Sequence, residues 1–381
     1  MSRLGTESAF EVLSKALALE SAGNSVVHLE IGEPDFPTPE HVVRAAEQAL
    51  ADGHTHYVPS PGIPPLREAV AAHLGSVGRL RAAPEQVVVT PGAKPVMFFT
   101  MLAMCEAGDE VIYPDPGFPM YASIAGFTGA TPVPLPLREE NDFRVDVDEL
   151  ERLVTPRTRL LILNSPHNPC GSVLTASDVE GIARIAVEND LVVLSDEVYS
   201  SLCYDEECPS VLDVEGMAER TVLLDGWSKT FAMTGWRLGY GVFPPELVEP
   251  VTRLVVNSVS CTPAFCQYAA IAALQGPWDC VDRMREEFRA RRDVVVDGLN
   301  AIDGITCRPP GGAFYAFPNV RELGMSSQRI ADDLLEHAGV ACLPGTAFGA
   351  AGEGFLRLSY ANSVPNLQQA LAAIEKYASA R

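Results

Sequence analysis

Five short runs of aliphatic and β-branched residues punctuate the first 225 positions: 86–90 (QVVVT), 110–113 (EVIY), 159–164 (RLLILN), 191–195 (LVVLS) and 221–225 (TVLLD). Each is apolar at nearly every position rather than at alternate ones, which predicts strands buried on both faces, as in a mostly parallel sheet covered by helices. Most of the intervening stretches are long enough for a crossover helix. Ahead of the runs, Phe10, Leu13 and Leu17, flanked by Val12 and Ala16, recur at helical spacing over residues 8–19, and Gly23 follows as a stop. VVHLEIGEPDFPTP then passes from a short strand into a Gly/Pro-rich turn, and a helix resumes over 39–50. Beyond Pro277 the texture changes to a charged helical stretch at 280–299, a lone strand near 313–317 and two further helical patterns. The expected architecture is α/β, with a large domain at 46–285 and a smaller domain formed by 1–45 and 286–381.

Composition narrows the function classes. With 47% apolar and 20% charged residues over 381 positions, the chain is globular, neither disordered nor fibrous. A formal net charge of −22 repels phosphate backbones and anionic lipid heads, so nucleic acid and membrane are poor partners, and an anionic ligand must be captured by a few local cations. The nine cysteines include no CxxC pair and are expected to be scattered reduced thiols; no Cys/His spacing suggests a metal. The amino-terminal residues lack the pattern of a signal peptide, and the longest apolar stretch, 96–105, is half the length needed to span a bilayer, so a cytoplasmic location is expected.

In an open parallel sheet the ligand sits beyond the carboxyl ends of the strands, so the residues after each run are the ones to inspect. After QVVVT comes Pro91-Gly92-Ala93-Lys94-Pro95 and a helix start, the form of an anion-binding turn, though alone it reads more simply as an ordinary tight turn. After LILN, the turn SPHNPCG leaves Asn168 as an inward amide. After LVVLS come Asp196 and Tyr199; a lone Asp at this place would most simply cap a helix. After TVLLD, the segment GWSKTFAMTGWRLGY carries Lys229 and, eight residues on, Arg237. Together these ends supply an amide, a carboxylate with a nearby phenol, a lysine and an arginine, the set that pyridoxal phosphate chemistry requires. The lysine bonds the aldehyde, the carboxylate keeps the pyridine nitrogen protonated, and the arginine with the loop N–H groups holds the phosphate.

From SAFEVLSKALAL through IGEPDFPTP to FLRLSYANS, the chain closely resembles the class I/II aminotransferases of pyridoxal-phosphate fold type I, the aspartate aminotransferase superfamily. The resemblance implies a seven-stranded, mostly parallel sheet between helices, with a smaller α+β domain. It also implies that Lys229 carries the cofactor and acts as general base, that Asp196 pairs with the pyridine nitrogen, and that Tyr199 and Asn168 bond the phenolic oxygen. Arg237, Gly92, Ala93, Lys94 and Ser228 are the implied phosphate neighbours, and Phe118 stacks on the ring. Tyr57 in HYVPSPGIPP reaches the phosphate of the other subunit of a homodimer. Arg357 in FLRLSY clamps the substrate α-carboxylate, aided by the Gly32 N–H and Asn168. The chain departs from the usual pattern at Gly226, where many relatives carry serine, at Cys170 in place of threonine, and at Phe118 in place of tryptophan or tyrosine.

The expected activity is ping-pong transfer of an amino group between an amino acid and a 2-oxo acid. Residues 254–275, the familiar place for a cation that reads a distal carboxylate, contain no Arg or Lys. With Phe10, Phe118, Phe314 and Tyr315 as candidate walls, this favours a neutral or apolar amino acid. The same fold and cofactor also serve eliminations, cyclisations and oxidations of amino acids, which the motifs leave open. A DNA-binding regulator on this fold would need a helix-turn-helix before residue 30, and a nicotinamide dehydrogenase would need GxGxxG after the first strand; neither is present.

Overall fold

The computed structural model describes residues 4–205 and 208–380. Its main sheet has seven strands: β1 Val87–Thr90, β2 Glu110–Asp115, β3 Thr131–Pro136, β4 Thr158–Asn164, β5 Val192–Asp196, β6 Thr221–Gly226 and β7 Gly239–Val242. They lie in the order β1-β7-β6-β5-β4-β2-β3, all parallel except β7, which runs antiparallel to both neighbours. The five apolar runs form β1, β2, β4, β5 and β6, and their side chains are buried on both faces as their patterns require.

The two strands without an apolar run have separate explanations. β3 reads TPVPLP, and prolines depress a strand assignment because they lack a ladder donor. Here β3 is the edge strand. Thr131 and Leu137 donate inward to Asp109 and Asp115 carbonyls, so the prolines at 132, 134 and 136 fall at the alternate positions, where no donor is needed. β7 reads GYGV, too short and glycine-rich to register by pattern, and is held between β1 and β6.

The second layer of organisation joins distant parts of the chain. Val27–His28 pairs in parallel with Val340–Ala341, and Leu343–Pro344, Leu356–Ser359 and Tyr315–Ala316 form an antiparallel three-stranded sheet. Over these lie the helices Asp279–Asn300, Ser327–Ala338 and Val364–Ser379, which enclose a core containing Phe288, Phe314, Leu334 and Tyr360. The helix expected at 280–299 is therefore present with one further residue at each end, and the strand expected at 313–317 shortens to Tyr315–Ala316. The helix predicted at 8–19 runs Ser8–Ser21, and the one predicted at 39–50 runs Glu40–Ala51. The expectation of uniformly reduced thiols is corrected at one place: Cys203 and Cys208 are paired, with Cα atoms 6.2 Å apart, while the other seven are free. A five-residue spacing carries no motif. Among the described residues, no helix is long and apolar enough to cross a membrane.

Candidate active site

The register of β4 against β5 sets Asn164 opposite Asp196, and β5 pairs with β6, which ends at Gly226. On β4 and β5, Leu160, Leu161, Ile162 and Leu163 and Val193 and Leu194 are buried and apolar, and Asn164 and Asp196 emerge side by side at the carboxyl edge. They open into a cavity of about 600 Å³ also lined by Gly32, Phe118, Tyr199, Ser228, Lys229, Arg237 and Arg357. Lys229 lies on the single helical turn Trp227–Thr230 that leaves β6.

Asp196 is 5% exposed, and burial pushes its carboxyl up to about 6; the Tyr121 hydroxyl, which donates to Oδ2 at 2.6 Å, opposes that rise. Asn164 steadies the same edge by donating from Nδ2 to the Asp196 carbonyl at 3.0 Å and accepting from the Asn168 N–H at 2.8 Å. The Lys229 ammonium donates to the Gly32 carbonyl and lies 5.7 Å from the Phe314 ring centre. Burial lowers its pKa to about 8; nearby Glu33 resists this and Arg357 reinforces it. A neutral amine is thus within reach at ordinary pH.

Arg237 adopts a left-handed backbone (φ 56°) and donates from Nη1 to the Thr234 carbonyl at 2.8 Å. Its guanidinium presses against the β1 turn: a Cβ on Gly92 (φ 88°) would lie 2.3 Å from Arg237 Nη2, so that position requires glycine. The helix Lys94–Met104 begins there; Pro95 has no N–H and the Val96 N–H bonds the Ala93 carbonyl at 3.0 Å, so the donors left at the helix start are the Ala93 and Lys94 N–H groups. Phe118 packs edge-on to Tyr121 at 5.7 Å.

Across the cavity, Arg357 is 4% exposed, and its guanidinium lies 4.6 Å from the Tyr315 ring centre and 4.9 Å from that of Phe348. Nη2 donates to the Glu30 carbonyl and Nη1 to Asn168 Oδ1 at 3.4 Å, while Nε has no partner among the described residues. Tyr199 and Tyr315 share a hydroxyl–hydroxyl bond of 2.8 Å. The arrangement offers a cationic clamp, a basic amine and a buried carboxylate around one cavity.

Three expected residues stand differently. Tyr57 is 87% exposed and does not line the cavity within its own chain. Phe314, expected as a wall, is core, stacked on Phe288 at 5.1 Å. Lys94 lines the cavity, but its ammonium is paired with Glu7. Three residues of the site escape a reading of the sequence: Tyr121, Asn164 and Glu7. For Tyr121 the available signal is a tyrosine one helical turn beyond Phe118 in PDPGFPMY; for Asn164, a polar residue closing an apolar strand. Glu7 has no local signal.

A family model described as aminotransferase class I and II matches residues 24–374. The chain is 43% identical to an aromatic-amino-acid aminotransferase of Thermococcus litoralis over 368 residues, covering 96% of this chain and 94% of the relative. It is 42% identical to an aspartate aminotransferase of Pyrococcus abyssi over the same shares. The solved structure of an aromatic aminotransferase from Pyrococcus horikoshii superposes with a TM-score of 0.92 at 43% identity, covering 97% of this chain and 99% of that one.

Proposed function

Because the chain belongs to the class I and II aminotransferase family, we propose that this cavity is where it carries out its reaction, the transfer of an amino group between an amino acid and a 2-oxo acid. The enzyme is a pyridoxal-phosphate-dependent transaminase. The observation that carries the site assignment is the convergence of Lys229, Asp196 and Arg357 on one cavity. The residues fit the cofactor: a desolvated lysine, a buried carboxylate with one oxygen held by Tyr121, and an arginine pressed on a glycine turn at a helix start. Bound there, pyridoxal phosphate supplies an aldehyde that holds the amino group and a ring that accepts electron density from the α-carbon.

In this reading Arg237, Ser228 and the N–H groups of Ala93 and Lys94 hold the phosphate, with Gly92 leaving room for the Arg237 guanidinium, and Phe118 covers the ring. Asp196 keeps the ring nitrogen protonated, with Tyr199 and Asn168 on the phenolic oxygen. Arg357 takes the substrate α-carboxylate as a bidentate pair, assisted by Gly32 and Asn168. Lys229 Nζ would hold the cofactor at rest and, as a neutral amine once substrate is bound, would remove the α-proton of the amino acid, so that one residue serves as anchor and base. Mass spectrometry after borohydride reduction should find the pyridoxyl group on Lys229; finding it on another lysine would remove the assignment.

The substrate class is read from charge. Lys229, Arg237 and Arg357 have tasks, and among the described residues the remaining cation at the cavity, Lys94, is neutralised by Glu7, while Phe10, Ile31 and Met97 contribute apolar surface. A neutral or apolar donor, aromatic ones included, fits this best. Initial rates with phenylalanine and leucine above those with aspartate are expected; the reverse order would make Lys94 the reader of a distal carboxylate. We further propose a cytoplasmic homodimer, with 46–285 as the cofactor domain and 1–45 plus 286–381 as the smaller one. Exposed Tyr57 would complete the partner's site. Mixing Tyr57→Phe with Lys229→Ala chains should restore activity in mixed dimers, because one of the two sites then carries neither lesion. No recovery would place Tyr57 outside the partner's site.

A further inference from the structure

Glu30, whose backbone carbonyl receives the Arg357 Nη2 bond, has a fully buried side chain (0% exposed) that does not line the cavity. Its Oε1 lies 2.7 Å from His28 Nδ1, and its Oε2 has no partner among the described residues. A carboxylate sealed from water requires a counter-charge, and the guanidinium held by this residue's own carbonyl is one candidate. The other is His28, which is partly exposed and can exchange protons with solvent; its Nε2 lies 3.3 Å from Glu20 Oε1 on the helix Ser8–Ser21.

Other groups pack against the pair. The paired strand Val340–Ala341 brings no charge, and Asn362 donates a neutral amide to the His28 carbonyl. The Cys342 thiol near Glu30 is pushed up to about 12 by burial and stays neutral, and Asp332 nearby is paired with Lys15 at 3.6 Å.

We infer that His28 and Glu30 form a charge-coupled positioning pair for Arg357, so that the grip on the substrate carboxylate loosens when His28 loses its proton. The inference rests on the reading of Arg357 as the carboxylate clamp. While His28 is protonated it offsets the Glu30 charge, and Arg357 presents its full attraction to an incoming carboxylate. When His28 is neutral, the buried Glu30 charge acts on Arg357 unopposed and competes with the substrate. Burial works against the His28 charge, but Glu30 and then Glu20 outweigh it and raise its pKa above the usual 6.5. The transition therefore falls above pH 6.5, with tighter binding on its acid side.

The test uses the holoenzyme and an unreactive carboxylate, 3-phenylpropanoate, with its dissociation constant read from the cofactor absorbance between about pH 6 and pH 9. Wild type should weaken with rising pH roughly threefold more than His28→Gln. Protonation of other groups, Lys229 included, is common to both and cancels in the comparison. Glu30→Gln should bind the probe roughly threefold more tightly than wild type at about pH 9, whereas a purely packing role for Glu30 predicts weaker binding at every pH. If His28→Gln keeps the wild-type slope while Arg357→Ala binds poorly, the coupling is overturned and the clamp stands. If Arg357→Ala binds the probe like wild type, both are overturned.

Discussion

The wall of the cavity that carries Asp196, Lys229 and Arg237 comes from strand ends of one sheet, whereas the wall that carries Arg357 is joined across 327 residues by its bond to the Glu30 carbonyl. On the first wall the chemistry is set by desolvation, which pushes Asp196 up to about 6 and Lys229 down to about 8. On the second, Arg357 is confined between the Tyr315 and Phe348 rings and bonded to the Glu30 carbonyl and Asn168. A sheet edge can concentrate reactive groups because neighbouring strands end in register. A clamp built from remote segments can instead be adjusted by residues outside the cavity, such as Glu30.

The largest effect separating the walls is expected from Lys229→Ala. Losing anchor and base together should lower turnover by roughly four orders of magnitude or more, with loss of the covalently held cofactor in the reduced and digested protein. A variant retaining substantial turnover would show that another group moves the proton. Arg357→Ala should act on the other wall alone. Loss of a charge-assisted bidentate pair is expected to raise KM for amino and oxo acids roughly a hundredfold, with cofactor content and absorbance unchanged. If cofactor content fell as well, the two walls would not be separable.

Tyr121→Phe probes how the first wall is tuned. The hydroxyl at 2.6 Å stabilises the Asp196 anion against burial, so its removal should move the Asp196 titration further up and lower turnover roughly tenfold. The pH profile of the cofactor absorbance checks this, and an unshifted profile would reduce Tyr121 to a packing residue. The smallest expected effect is on cofactor uptake by the apoprotein. Uptake needs the neutral Lys229 amine, and because burial lowers this lysine to about 8, the neutral fraction rises with pH and levels off above that value. The rate should increase about fivefold between pH 7 and pH 8. A plateau only above about pH 10 would mean that the lysine is as well hydrated as one in water.

Much of the first wall is legible in the amino-acid sequence. The runs at 86–90, 159–164, 191–195 and 221–225 are buried strands, and the polar residues that follow them, Lys94, Asn168, Asp196 and Lys229, line the cavity where a parallel sheet places its ligand. The strand at Thr131–Pro136 is not legible, since its prolines are tolerated only because it is an edge with alternate positions free of donors. Tyr121 escapes notice although it lies three residues from Phe118, because nothing local says that a helix-start tyrosine will meet a carboxylate 75 residues later.

Periodicity and the order of chemical groups are properties of the chain alone: which segments are buried on both faces, and that each is followed by an amide, a carboxylate, a lysine or an arginine. Which of those groups lose water, and which find partners, is settled by tertiary packing. Lys94 and Arg237, both cations near one turn, are divided by the fold: one is neutralised by Glu7 and the other pressed on Gly92. His28 and Glu30 read as two polar residues in a short strand, and become a buried acid with a titratable neighbour once Val27–His28 pairs with Val340–Ala341 and Arg357 settles on the Glu30 carbonyl. The physical reason is one of range. Hydrophobic periodicity acts over a few residues and is written along the chain, whereas desolvation and charge pairing depend on every segment packed around a group and exist only after folding.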